Sequence, residues 1–83
     1  MLIEVLQKHI DNGKRLQCCS CPVALAINEK TGRKCVVGLS DVMIGNDMFC
    51  LPNNVTKFIR MFDMNYPVKP FEFNLELGEL YDN

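Results

Sequence analysis

The sequence predicts an α+β fold, a small single domain spanning 1–83, and three observations carry that reading. Helical apolar spacing with start and stop residues recurs near the N-terminus, after Pro22 and after Pro52. Between the second and third of these lies a β-branched run, Lys34 to Ile44, followed by a Gly45-Asn46-Asp47 turn. Finally, Phe71 to Leu77 alternates apolar and polar residues without a break. The order is α-α-β-β-α-β, an antiparallel sheet of about three strands with helices on one face.

Taking the elements in order, Leu2, Ile3, Val5, Leu6 and Ile10 fall on one face of a helix over about 2–11. Asn12-Gly13 ends it, because glycine tolerates the left-handed conformation at a helix end. His9 sits in its last turn, placed to cap or pack. Lys14 to Ser20 is a loop. Pro22 suits the first position of a second helix, with Ser20 or Cys21 at its N-cap and Gly32 as its stop. Val23 to Ile27 is apolar on every side, which implies burial. The same stretch also reads as a strand, since Val23, Leu25 and Ile27 alternate with alanines and Asn28 to Gly32 suits a hairpin loop. Helix propensity favours the first reading.

Lys34 to Leu39 is a strand. Asp41 to Ile44 continues or restarts it, with Gly38 or Ser40 marking a bulge. Met48 to Leu51 returns as its partner. Val55, Phe58, Ile59 and Phe62 then space a third helix opened by Pro52-Asn53-Asn54. Tyr66 to Pro70 is a stiff extended linker. In the last strand Phe71, Phe73, Leu75 and Leu77 point one way and Glu72, Asn74 and Glu76 the other. Gly78 to Asn83 is a loose tail, from which Leu80 and Tyr81 are able to dock on a neighbour.

The chain has 83 residues, 48% of them hydrophobic and 23% charged, with net charge −1. That balance excludes global charge as a drive onto nucleic acid or an anionic membrane. Charge is uneven: residues 1–34 hold six Lys/Arg and three acids, whereas 70–83 hold Glu72, Glu76, Glu79 and Asp82 and no base. A domain this short buries only about 60–65% of its unfolded surface. With an apolar last strand that needs cover, it is expected to be a homo-oligomer. No apolar stretch reaches the length of a membrane span, and Glu4 falls where a signal peptide is basic. Five cysteines, an odd count, read as free thiols in a reducing cytoplasm.

Cys18 and Cys21 have the C-x-x-C spacing that holds half a zinc site, but no second such pair is present. Packing as small thiols outweighs both zinc and a redox dithiol. No metal or cofactor is therefore expected. The candidate for ligand recognition is the Gly13-Lys14-Arg15 turn ahead of the helix start at Ser20-Cys21-Pro22. Unpaired N–H groups there attract an anion, Lys14 and Arg15 close on it, and His9 lies near in sequence. Tyr66 or Tyr81 is available to stack on a base. The candidate ligand residues are thus His9, Lys14, Arg15, Ser20 and Tyr66. A lone His without a nucleophile at a known spacing, and no paired carboxylates on one face, argue against an enzyme.

Taken together, His9-Ile10, Gly13, Cys21-Pro22-Val23-Ala24-Leu25-Ala26, Val37-Gly38, Leu51-Pro52, Phe58-Ile59, Phe62-Asp63 and Val68-Lys69-Pro70-Phe71-Glu72-Phe73 carry a resemblance. Over residues 9–77 the chain resembles a group of short proteins encoded by tailed phages. The resemblance implies a small accessory protein in the host cytoplasm that acts by stoichiometric binding. The expected function is sequestration of a small anionic ligand, a nucleotide immune signal, as an anti-defence sponge. The alternative is inhibition of a host protein by direct binding through Glu72, Glu76 and the tail. A structural phage component with no ligand is a third class.

Overall fold

The computed structural model describes residues 1–77 and confirms an α+β fold. The expectations for Gly78 to Asn83, including Tyr81, lie outside the described residues. The elements are β1 (Leu2–Val5), α1 (Gln7–Asn12), α2 (Pro22–Thr31), β2 (Cys35–Val37), β3 (Asp41–Ile44), β4 (Asp47–Cys50), α3 (Asn53–Asp63), β5 (Phe71–Asn74) and β6 (Glu76–Leu77). They form a two-stranded sheet, β1-β5, and a four-stranded sheet, β2-β3-β4-β6, with every described pairing antiparallel.

The helix expected over 2–11 is corrected at its first half. Residues 2–5 form a strand whose Ile3 and Val5 are buried and whose Leu2 and Glu4 are exposed. Its register pairs Ile3 with Phe73 and Val5 with Phe71. The run Leu2-Ile3-Val5-Leu6 fits both periods, and a long-range partner strand selects the period of two. The helix that remains is six residues long. Gly13, which follows it, has φ −72°, not the left-handed value expected. A Cβ there would meet Pro22 Cγ and Cδ at 2.6 Å, so glycine is required by the close approach of α2.

Helix α2 settles the ambiguity at 22–31 in favour of helix. Cys21 is its N-cap, Pro22 opens it, and Gly32 ends it in the left-handed region at φ 70°. Pro22, Val23, Ala24, Ala26 and Ile27 are buried, which explains a segment apolar on nearly every side. Gly38 is a reversal, not a bulge: its N–H donates to the Asp41 carbonyl at 2.7 Å, and β3 restarts antiparallel to β2. Gly45 has φ 61° and Asn46 does not share a positive φ, so Ile44 and Asp47 are joined by a type II′ turn. Helix α3 ends in a Schellman motif. Asn65 takes φ 66°, the Tyr66 N–H donates to Met61 O at 2.9 Å and the Asn65 N–H to Phe62 O at 3.0 Å.

The single sheet of about three strands is also corrected, because the alternating stretch 71–77 serves two sheets. β5 pairs with β1, and β6 pairs with β4. The change of partner falls at Leu75, which is buried and exchanges backbone hydrogen bonds with Met1: Leu75 N–H to Met1 O at 2.8 Å, and the Met1 ammonium to Leu75 O at 3.1 Å. One core joins Ile3, Val5, Val23, Ile27, Val42, Val55, Phe58, Phe73 and Leu75. Phe71 closes one side of it, with its ring centroid 4.6 Å from that of Phe58.

Candidate functional site

The fold commits two of the five sequence-predicted ligand residues to other partners. His9 is 5% exposed; its Nδ1 accepts the Leu6 N–H at 2.9 Å, which leaves the ring proton on Nε2 to donate to Glu29 Oε1 at 2.8 Å. Glu29 also accepts from Lys8 Nζ at 2.6 Å. These bonds tie α1 to α2, and the Lys8 hydrogen bond, then that of His9, holds the Glu29 carboxyl below its usual range. The Arg15 guanidinium is spent on the end of α3, where Nη2 and Nε donate to the Asp63 carbonyl. Asp63 Oδ1 accepts the Leu16 N–H at 2.9 Å, and Leu16 sits at φ 61°.

The helix start that suggested an anion site is closed. Cys21 Sγ accepts the Ala24 N–H at 3.5 Å, and residues Cys21 through Ala24 are buried. Lys14 is exposed, and its backbone N–H closes the loop onto Ser20 O at 2.8 Å. Tyr66 is exposed beyond α3.

Of those five residues, Ser20 alone lines a cavity of about 550 Å³. Its walls are Cys19 and Ser20 before α2, Asn28 in α2, Lys34 to Val36 entering β2, and Met43 and Gly45 around the β3–β4 turn. The geometry follows from the sheet. Val36 and Met43 are cross-strand partners on the outer face, so they form an apolar floor. Gly32 ends α2 and turns the chain towards β2, and Lys34 enters the wall. A Cβ on Gly45 would collide with the Arg33 guanidinium, so that cation packs directly over the rim.

The polar groups suit an anionic guest with hydrogen-bonding capacity. Lys34 and Ser20 supply an ammonium and a hydroxyl. Asn28, also in the wall, has its Oδ1 buried with no hydrogen-bond partner among the described residues. Among the described residues, neither Arg33 nor Lys34 pairs with a carboxylate. Among the described residues, the lining contains no Asp, Glu or His. Burial pushes the Cys35 thiol up to about 12, and it donates weakly to the Ala24 carbonyl at 3.6 Å. Sequence reasoning missed Asn28, Arg33, Lys34 and Met43. The legible signal was the Lys30, Arg33, Lys34 cluster around the Gly32 stop; the cross-strand floor was not legible without the register.

Among the described residues, no group of three or more His, Cys, Asp or Glu side chains is placed to hold a metal ion. No described helix is long and apolar enough to cross a membrane. Compared with known proteins, the chain matches no family model, and no curated protein or solved structure is significantly similar to it.

Proposed function

We propose that the protein captures a small anionic ligand without catalysis, and that nucleotide signals are the class it takes. The observation that carries this reading is the cavity of about 550 Å³, with Lys34 in its wall, Arg33 packed on Gly45 at its rim and, among the described residues, no carboxylate in its lining. Ligand sites are apolar hollows of about 300–1,000 Å³ with a few placed polar groups, and this one has that make-up. Charge-assisted hydrogen bonds from Lys34, with the Arg33 guanidinium at the mouth, fix the anion. Val36 and Met43 receive the apolar part of the guest. On the resemblance to tailed-phage proteins, the capture serves sequestration of a host immune signal in the host cytoplasm.

The test is thermal melting against a panel of linear and cyclic nucleotides. A ligand at 100 times its dissociation constant adds about 2.7 kcal/mol, a clear shift. Lys34→Ala combined with Ser20→Ala abolishes the shift, and Lys14→Ala leaves it. A panel with no shift overturns the reading.

A second reading, direct binding to another protein, has one specific observation behind it. Leu16 and Leu39, 76% and 82% exposed, flank a cleft of about 330 Å³ that also contains Val37 and Ile59. Large apolar side chains held out around a cleft suit a protein partner, whether a host protein or a second copy. Light scattering at high micromolar concentration distinguishes a dimer from a monomer. Leu39→Asp with Leu16→Asp breaks a dimer built on this patch.

A further inference from the structure

Two exposed thiols stand in contact beside this cavity. Cys18 Sγ and Cys19 Sγ are 3.5 Å apart. The backbone creates the contact. The Gln17 carbonyl accepts the Ser20 N–H at 3.2 Å and the Cys21 N–H at 3.0 Å, so Cys18 and Cys19 are the two central residues of a tight turn. That turn is anchored on the sheet by the Val37 N–H, which donates to Cys18 O at 2.9 Å. Two other thiols are withdrawn: Cys21 is buried under its capping bond, and Cys35 is buried against Ala24. Cys50 is exposed on β4 and, among the described residues, touches no other thiol.

We propose that Cys18 and Cys19 form a vicinal dithiol that reacts with small-molecule disulfides and closes to a Cys18–Cys19 disulfide, a modification site in the cavity wall. The contact with Cys18 raises the Cys19 thiol above its ordinary range, which suits Cys19 to the second, resolving step. The Cys18 thiolate forms a bond to one sulfur of the disulfide RS–SR. The S–S bond breaks, and the first RS⁻ leaves and takes up a proton. Cys19 then gives up its proton and attacks the Cys18 sulfur, expelling the second RS⁻, which is also protonated. Two cysteine thiols lose two electrons in total, and one small disulfide is reduced to two thiols.

Adjacent Cα atoms are about 3.8 Å apart, shorter than the usual disulfide span, so the ring is readily reduced again. Closing it moves Cys19, which lines the larger cavity, and Cys18, which lines the smaller cleft. The site rests on the thiol contact and stands whether or not a nucleotide binds.

The experiment incubates the protein with oxidised glutathione at neutral pH, followed by intact-mass analysis and fragmentation of the 16–30 tryptic peptide. The expected result is loss of two hydrogens from the 16–30 peptide, located to a Cys18–Cys19 link and reversed by dithiothreitol, with glutathione in the intact mass confined to Cys50. Cys18→Ser and Cys19→Ser each retain one glutathione on that peptide as a stable mixed disulfide, because the resolving thiol is gone. Stable glutathione on Cys18 and Cys19 of the unaltered protein, formed as it is on Cys50, would overturn the proposal. So would a link from Cys18 to Cys21.

Discussion

The Arg15 guanidinium donates two hydrogen bonds, of 2.8 and 3.0 Å, to the backbone carbonyl of Asp63. A cation therefore sits on the negative end of α3, and the loop before α2 is fastened to a helix 48 residues away in sequence. Arg15→Ala lowers stability by about 1 kcal/mol, since the bonds are charge-assisted but exposed. Asp63→Asn keeps the Oδ1 acceptor for Leu16 and the carbonyl for Arg15, so it costs far less. Urea unfolding of the two variants checks the contrast.

Two glycines separate space from conformation. Gly13→Ala drives a methyl group into the Pro22 ring and His9 O, and costs about 1–3 kcal/mol. Gly32→Ala meets nothing within 4 Å but must hold φ 70°, and costs about 1 kcal/mol. Thermal unfolding ranks Gly13→Ala below Gly32→Ala. The opposite order would mean that α1 and α2 do not approach as closely as described.

Glu29 contributes to the acid side of the stability profile. Its carboxyl is held below the ordinary value of 4.5 in the folded chain, first by Lys8 and then by His9. A depressed carboxylate stabilises the fold above the unfolded value, and that contribution is lost as pH falls through the folded one. Stability therefore drops below about pH 4.5, and Glu29→Gln removes this part of the drop. Chemical denaturation midpoints between pH 3 and 7 measure it. Equal acid sensitivity in Glu29→Gln would show that the Lys8–Glu29–His9 link does not form in solution.

The first strand makes neighbouring residues unequal. Ile3 is fully buried and Leu2 is largely on the surface, although both lie on the apolar face of the helix that the sequence suggests. Ile3→Ala costs about 2–5 kcal/mol and Leu2→Ala about 0.5 kcal/mol or less. Similar losses at both positions would restore the helical reading.

What was legible in the chain was local. Pro22 with Gly32, and the Val55, Phe58, Ile59, Phe62 spacing, placed α2 and α3 because caps and periodicity act within a few turns. The Gly45 turn placed β3 and β4 for the same reason. What was not legible depended on distant partners. Val5 alternates inward only because Phe71 pairs with it, and Leu75 marks a change of sheet only because β1 and β4 take the two halves of one alternating stretch. The candidate site followed this division. Ser20 is the one expected residue that lines the cavity, and Lys34 and Asn28 meet it there through α2 packing and the β2–β3 register. Arg15 looked like a ligand residue because the carbonyl that occupies it lies at the far end of α3.

The pairing of β1 with β5 and the Met1–Leu75 exchange mean that β1 has no edge to join until Phe71 to Leu75 is in place. Ile3 and Val5 stay uncovered until then, so a partly folded chain exposes an apolar strand that a chaperone or a protease is able to read. Closure across this separation makes folding slow for so small a domain. A chain without Phe71 to Asn74 leaves Ile3 and Val5 without the strand that pairs with theirs, so this one distant pairing decides whether the apolar side of β1 is covered.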